Sequence, residues 1–232
     1  MIETSIIIPT CNEEKYLPGL LESIKKQKYK NYEIIIADAN SKDKTIKIAK
    51  RYKCKVVKGG KPARGRNKGA KIAKGKYLIF MDSDGILKNN KLEKLIKEFR
   101  DRGLDLASVY VIPHGGNIID EFFHLLWNAW AGIMQYFDPY FTGAFIICKK
   151  NVFKKLKGFD EKVSVGEDHA LARDAIFEGY KVRILRKARI PISVRRFEQE
   201  GRFVMAFKFL FWAFYRSFFG EVRSKALGYK WK

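Results

Sequence analysis

Cysteine is scarce in this chain: Cys11, Cys54 and Cys148 are the three in 232 residues, far apart and with no C-x-x-C pair. Such usage indicates neither a disulfide framework nor a thiolate metal site, and a reducing compartment is the simpler expectation. Histidine is equally rare, and His114, His124 and His169 lack metal-ligand spacing, so all three read as non-ligands. No G-x-G-x-x-G follows the first apolar run and no G-x-x-x-x-G-K-[ST] occurs anywhere, which takes weight from dinucleotide oxidoreductases and P-loop enzymes. The N-terminus, Met1 to Ser5, lacks the basic start, long apolar stretch and cleavage site of a signal peptide, so a cytosolic location is expected. Internal repeats, low-complexity tracts and obvious linkers are missing as well.

Acidic residues are the other deficit. Asp and Glu number 25 against 47 Lys and Arg, a net charge of +22 that favours anionic partners: nucleic acid, an anionic lipid surface or a phosphorylated substrate. A solvated lysine-rich surface would carry much of the same charge. With 47% hydrophobic and 14% aromatic residues the chain should fold, as one domain or one domain with an appendage.

The first part alternates β-branched apolar runs with stretches of helical spacing, the pattern of a parallel sheet with crossover helices. Strands are predicted at Ser5–Ile8, Glu33–Ala37, Lys55–Val57 and Tyr77–Met81, and helices at Tyr16–Lys28, Lys44–Tyr52 and Ala63–Ala73. The fold class is therefore α/β. Further on, a helix is predicted at Asn90–Arg100, a strand at Leu106–Ile112, an aromatic-rich helix from Ile118 to Phe137 and a strand at Phe141–Cys148. Helices at Asn151–Leu156 and Glu167–Phe177 and strands at Lys181–Leu185 and Ile190–Val194 complete the pattern.

In open α/β sheets a ligand sits beyond the carboxyl ends of the strands. The first strand ends in Pro9-Thr10-Cys11-Asn12-Glu13 and the second at Asp38, followed by Ser41, Asp43 and Thr45. Asp43 reads as a helix cap, whereas Asp38, one step beyond a buried strand, does not. The fourth strand ends in Asp82-Ser83-Asp84, two carboxylates that repel unless a cation lies between them. Hard divalent ions take carboxylate and phosphate oxygens together, so this D-x-D suits a metal bridging the protein to a diphosphate.

Ser5 to Glu13, Asp38 to Thr45, Ala63 to Ala70 (Ala-Arg-Gly-Arg-Asn-Lys-Gly-Ala) and Asp82-Ser83-Asp84 resemble successive motifs of glycosyltransferase family 2 in order and spacing. Thr142-Gly143-Ala144, Gly158 to Glu161 and Gly166-Glu167-Asp168 resemble the family's acceptor-side half, so the likeness runs over about residues 2–200. It implies a GT-A fold and inverting transfer from a nucleotide diphosphate sugar, such as a UDP- or GDP-sugar, with Mn²⁺ or Mg²⁺ near the D-x-D. Pro9, Thr10, Glu13, Asp38 and Arg66 would surround the nucleoside. Asp82 and Asp84 would face ribose, diphosphate and metal, with Asp84 the stronger candidate for coordination. Many members carry two acidic residues after the second strand where this chain has Asp38-Ala39.

Asp168 would be the acceptor-side base, with Glu167 and Gly143 beside it; a carboxylate at a helix start also serves as a cap. An acceptor that is already an anionic lipid phosphate would need no base, and Asp168 would then position it. Arg195-Arg196 resembles the family's basic loop that closes on the diphosphate, with Arg196 assigned to the donor; surface arginines are the alternative. Residues 1–200 are expected to form the transferase domain, divided into a nucleotide-sugar half (1–88) and an acceptor half (89–200), with 201–232 as an amphipathic attachment.

From Phe203 to Phe219 the sequence is aromatic, basic and short of a bilayer span. It is expected to lie on an anionic membrane surface, aided by Arg195, Arg196, Arg202, Arg223 and Lys225, or to dock on the domain's own core or a dimer interface. The enzyme would then be peripheral at the inner face of the cell membrane, with a lipid-linked or glycan acceptor. The competing classes are a basic nucleic-acid-binding protein, disfavoured because the aromatics do not interleave with the basic residues, and an inactive sugar-nucleotide binder.

Overall fold

The computed structural model describes residues 2–88 and 90–223. Strand β1 (Thr4–Thr10) is buried along its whole length, with Ile6, Ile7 and Ile8 inaccessible to solvent, as a strand covered on both faces requires. Helices α1 (Leu17–Lys25), α2 (Thr45–Arg51) and α3 (Pro62–Ile72) cross over to β2 (Tyr32–Asp38), β3 (Lys55–Lys58) and β4 (Tyr77–Phe80). The four strands run parallel. There follow α4 (Lys91–Asp101), β5 (Leu106–His114), α5 (Ile118–Met134), β6 (Ile146–Lys149), α6 (Lys150–Lys155), α7 (Glu167–Phe177), β7 (Val182–Ser193), α8 (Arg195–Glu200) and α9 (Arg202–Phe219).

The sheet order is β3-β2-β1-β4-β6-β5-β7, with β6 antiparallel to β4 and β5, and β5 parallel to β7. This is the mostly parallel α/β architecture expected. Because side chains alternate across a strand, Ile6 and Ile8 pack with α1 and α4 on one face while Ile7 packs with α3 and Phe80 on the other. The chain steps outward from β1 to β2 and β3, then crosses to β4 on the opposite side of β1. Strand order reverses there, and the crevice lies past the carboxyl ends of β1 and β4.

Helix α3 lies unusually close to β1. A Cβ on Gly69 would stand 2.4 Å from Ile7 Cγ2, and one on Gly65 3.2 Å from Pro9 Cβ. Side-chain-free positions permit that approach, and it carries Arg66 to the strand ends.

Three elements differ from expectation. The strand predicted at Phe141–Cys148 is confined to Ile146–Lys149, because Phe141 to Phe145 bond to side chains instead of the sheet. The Phe141 N–H donates to His169 Nδ1 (2.9 Å), and the Ser108 hydroxyl donates to the carbonyls of Thr142 (3.3 Å) and Phe145 (3.1 Å). The two strands predicted at Lys181–Leu185 and Ile190–Val194 are one strand with a bulge, Val109 pairing with Leu185 and Tyr110 with Arg189. Glu98 of α4 fills the bulge by accepting the N–H groups of Arg186 (2.9 Å) and Lys187 (2.8 Å). Finally, Arg195 and Arg196 stand in a short helix, α8, and not in a loop.

Helix α5 begins with a capping box in which Asn117 accepts from Asp120 N–H and Asp120 accepts from Asn117 N–H. Arg202, the first residue of α9, donates to the fully buried Asp120 at 2.9–3.1 Å. Burial raises that carboxyl, but Arg202 outweighs it and holds Asp120 below the usual range. Trp127 of α5 meets Phe209 of α9 with ring centroids 5.8 Å apart. Helix α9 therefore docks partly on α5, yet Phe122, Leu125 and Ile133 of α5 and Phe207, Leu210 and Phe214 of α9 stay exposed. No helix among the described residues is long and apolar enough to cross a membrane.

Of the basic residues expected to flank a lipid surface, Arg195 pairs with Glu13, Arg202 with Asp120 and Arg223 with Asp160. The Arg195 and Arg202 pairs are largely covered, whereas Arg223 stays exposed. Lys225 lies outside the described residues.

Candidate active site

The loops after β1 and β2 are laced together. Asp38 accepts from Thr10 Oγ1 (3.0 Å), Ser41 Oγ (2.5 Å) and Ser41 N–H (2.8 Å), so its carboxylate builds the loop floor. Asp43 accepts from the N–H groups of Thr45 (2.9 Å) and Glu14 (3.0 Å), fixing the start of α2 as its capping reading implied. Thr45 Oγ1 in turn accepts from Glu13 N–H at 2.8 Å. Pro9, Thr10, Glu13 and Asp38 thus form one rigid corner.

Arg66, buried on α3, binds across two elements. Its Nη2 donates to Asp82 past β4 at 2.7 Å, its Nη1 pairs with Glu167 at the start of α7, and its plane faces the Phe159 ring at 5.3 Å. Gly143 completes this contact, for a Cβ there would stand 2.5 Å from Arg66 Nη2 and 2.9 Å from Asp82 Oδ2.

Arg195 makes the second bridge. It donates to both oxygens of Glu13 at 2.9 Å, lies 3.3 Å from Asp84, and covers the Tyr16 ring at 4.6 Å. The Asp84 carboxyl is pushed up to about 6 by burial and by Asp82 and Glu13, against the pull of Arg195 and Arg196. Two acids past β4 are thus each held by one arginine, Asp82 by Arg66 and Asp84 by Arg195.

On the far side, Gly166 in the left-handed region (φ 78°) turns the chain into α7 and delivers Glu167 and Asp168. Burial raises both carboxyls, that of Asp168 to about 6 with Asp82 adding to the rise and Arg66 opposing it. Beside them, burial holds His169 down to about 3, so it is neutral. Since its Nδ1 accepts from Phe141 N–H, the proton sits on Nε2.

A cavity of about 1290 Å³ joins these groups. Arg66, Asp82, Asp84, Gly143, Glu167, Asp168 and Arg196 line one end, and Trp127, Trp130, Phe209 and Phe214 line the other. Of the residues predicted from sequence, the cavity gathers these seven; Pro9, Thr10, Glu13 and Asp38 are not in its lining and lie at the adjoining corner, linked to it by Arg195. The sequence placed Arg195 in the basic loop but not on Glu13, and it gave no site role to Tyr16 or His169. The Glu167-Asp168-His169 run offered a signal for the last, whereas the pairing of Arg195 with Glu13 spans too many residues to be read from the chain.

The sequence profile of glycosyl transferase family 2 matches residues 5–156. An uncharacterized glycosyltransferase of Methanocaldococcus jannaschii, MJ1057, is 34% identical over 205 residues, covering 81% of this chain and 70% of that protein. Among solved structures, Staphylococcus aureus TarS in complex with UDP superposes with a TM-score of 0.64 at 20% identity over 83% of this chain and 60% of that one. The mannosyltransferase PcManGT from Pyrobaculum calidifontis, in complex with GDP-Man and Mn²⁺, gives 0.68 at 21% over 89% of this chain and 59% of that one. At such identities the likeness is one of fold, and the chain spans about three-fifths of each solved structure.

Proposed function

This chain belongs to glycosyl transferase family 2 and is a transferase with the GT-A fold, and from that premise we propose that it moves a sugar, with inversion, from a nucleotide diphosphate sugar to a hydroxyl or lipid-linked acceptor. The observation that carries the proposal is the convergence of Asp82, Asp84, Arg66 and Arg196 with Asp168 around one cavity past the ends of β1 and β4. Complexes of the structural neighbours with UDP-GlcNAc and with GDP-Man support a UDP- or GDP-linked donor.

The donor's nucleoside would rest on the corner formed by Pro9, Thr10, Glu13 and Asp38. Arg195 and Arg196 would face the diphosphate and stabilise the charge left on it as the glycosyl bond breaks. Asp82 and Asp84 suit Mn²⁺ or Mg²⁺: both offer hard oxygen donors, and the Asp84 carboxyl, raised by burial first and then by Asp82 beside it, stands where a cation would favour its ionised form. Among the described residues no cluster of three or more acidic, histidine or cysteine side chains is placed to hold a metal, so oxygens of the donor would complete the coordination. Such an ion supplies charge neutralisation to the departing diphosphate.

Asp168 is assigned as the base. It takes the proton from the acceptor hydroxyl as that oxygen bonds to the anomeric carbon, on the face opposite the departing diphosphate. A carboxyl raised to about 6 is ionised at neutral pH yet basic enough for this task. Glu167 is held by Arg66 and so would shape the site instead of moving protons.

We assign the exposed aromatic faces of α5 and α9 to the interface of the cytoplasmic membrane leaflet, which would make the enzyme peripheral and its acceptor membrane-proximal. Contiguous exposed apolar residues of this kind mark an interaction surface. A thermal-shift panel of UDP-, GDP- and dTDP-sugars with and without Mn²⁺ tests the donor assignment. Stabilisation that requires the metal and one nucleotide supports it, and no stabilisation by any of them removes it.

A further inference from the structure

His169 presents a donor of fixed direction beside the assigned base. Its Nδ1 accepts the Phe141 N–H at 2.9 Å, and burial keeps the ring neutral, so the proton stands on Nε2. Neighbouring rings hold it in place. Trp127 meets the imidazole at a centroid distance of 6.1 Å and Tyr140 at 5.0 Å, and Tyr140 is itself covered by the buried guanidinium of Arg216 at 4.3 Å. The Nε2–H has no partner among the described residues, yet it is not sealed from solvent, so it opens on the cavity that His169 lines. Gly166 keeps this edge clear: a Cβ there would stand 2.7 Å from Cδ2 and 3.7 Å from Nε2.

The surroundings decide what such a donor can bind. Asp168 Oδ1 lies 4.0 Å from His169 Nδ1, and Glu167 precedes both at the start of α7. Arg66 is already engaged by Asp82 and Glu167. An anion brought here would therefore face two carboxylates and find on the neutral imidazole no full charge to offset them. A neutral N–H suits an uncharged oxygen instead. Trp127 and Tyr140 line the cavity beside it, so a few placed polar atoms stand against flat apolar walls, as in sites for small neutral molecules.

We propose that His169 determines acceptor specificity: its Nε2–H donates to an uncharged oxygen next to the hydroxyl that Asp168 deprotonates, so the acceptor presents neighbouring oxygens, as a sugar or another polyol does. The attacking hydroxyl gives its proton to Asp168. The oxygen beside it accepts a hydrogen bond, and His169 exchanges no proton. A site built to bond a substrate oxygen rejects an analogue that lacks it, because the donor is then left unpaired. The inference rests on the assignment of Asp168 as the base and gives the acceptor its chemical class.

Asparagine and glutamine divide the two ring nitrogens between them. Asn can place an acceptor where Nδ1 stands and has nothing at Nε2, whereas Gln can place an amide N–H at Nε2 and leaves the Phe141 N–H unmet. The test titrates the full chain with methyl β-glucoside, methyl α-mannoside, ribitol and cyclohexanol, following tryptophan fluorescence, with nucleotide-sugar binding measured by calorimetry on the same preparations. At least one polyol is expected to bind about tenfold more tightly than cyclohexanol, to lose that preference in His169→Asn and to keep most of it in His169→Gln. Urea unfolding should rank the two variants in the opposite order. Nitrogen-15 histidine spectra, with His169 assigned by its absence from the variants, should show the wild-type proton on Nε2 and a shift when that polyol is added. No polyol preference, a proton on Nδ1, equal affinities in the two variants, or affinities that follow stability overturn the proposal. Where a variant does not fold, the wild-type spectra and the other variant decide. Failure with nucleotide-sugar binding intact removes only the role of His169; full turnover by Asp168→Asn removes the base on which it rests, and loss of nucleotide-sugar binding by the wild type removes the transferase assignment.

Discussion

Gly143 faces Arg66 so closely that a single added methyl would stand 2.5 Å from the guanidinium Nη2 and 2.9 Å from the Asp82 carboxylate. The residue without a side chain is thus a spacer that allows the arginine and the acid to meet. Gly143→Ala should push Arg66 off Asp82 and Glu167, leaving charges buried without full pairing. We expect a loss of about 1 to 3 kcal/mol in denaturant unfolding and weaker donor binding. Unchanged stability together with unchanged donor affinity would show that the contact yields without consequence.

Asp168 predicts a pH profile. With its carboxyl at about 6, the basic form is present above that pH and is lost below it. Initial rates of transfer at sub-saturating acceptor should be flat above pH 7 and should fall about tenfold per unit once the pH is well below 6. Asp168→Asn should bind donor normally and turn over at least a hundredfold more slowly. A variant with full activity would show that Asp168 is not the base, as would be found for an acceptor that is already anionic.

Glu98 predicts a stability change far from the site. It accepts two backbone N–H groups in the β7 bulge and a guanidinium from Arg102 at 2.7 Å, and is itself buried. Glu98→Ala leaves two donors of the bulge unmet, which should cost about 2 to 4 kcal/mol in urea unfolding. Glu98→Gln, which keeps one acceptor oxygen, should cost less. Equal stability of wild type and the Ala variant would mean that water replaces the carboxylate.

The exposed faces of α5 and α9 predict membrane binding driven by apolar contact, since Arg195 and Arg202 are largely covered in pairs with Glu13 and Asp120. Co-sedimentation with anionic vesicles should be strong in the wild type and should drop at least tenfold for Phe207→Glu combined with Phe214→Glu. Both residues are exposed in the structure, so folding should survive. No sedimentation of the wild type, or equal sedimentation of the variant, contradicts the assignment.

Much of the donor half is legible in the sequence because buried parallel strands such as Ile6-Ile7-Ile8 admit little but β-branched residues, and the acids that follow them stand out against that background. The same holds for Glu167 and Asp168, marked by the helix start after Gly166. The segment from Phe141 to Phe145 misleads because it is as apolar as a strand; it is buried, but its polar backbone is satisfied by Ser108 and His169. The bulge in β7 is hidden for a related reason, its cause being a glutamate about ninety residues earlier. Arg195 on Glu13 and Arg216 on Tyr140 are products of tertiary packing, and no local pattern announces them.

The central claim is that Asp82 and Asp84 hold a divalent ion against the diphosphate of an activated sugar. Calorimetric titration of the nucleotide diphosphate sugar chosen by thermal shift, into wild type and Asp84→Ala, with Mn²⁺ and with chelator, tests it directly. The account predicts binding by the wild type that weakens at least tenfold in chelator and is lost in the variant under both conditions. Equal affinity with and without metal, or an Asp84→Ala protein that binds as the wild type does, would contradict it.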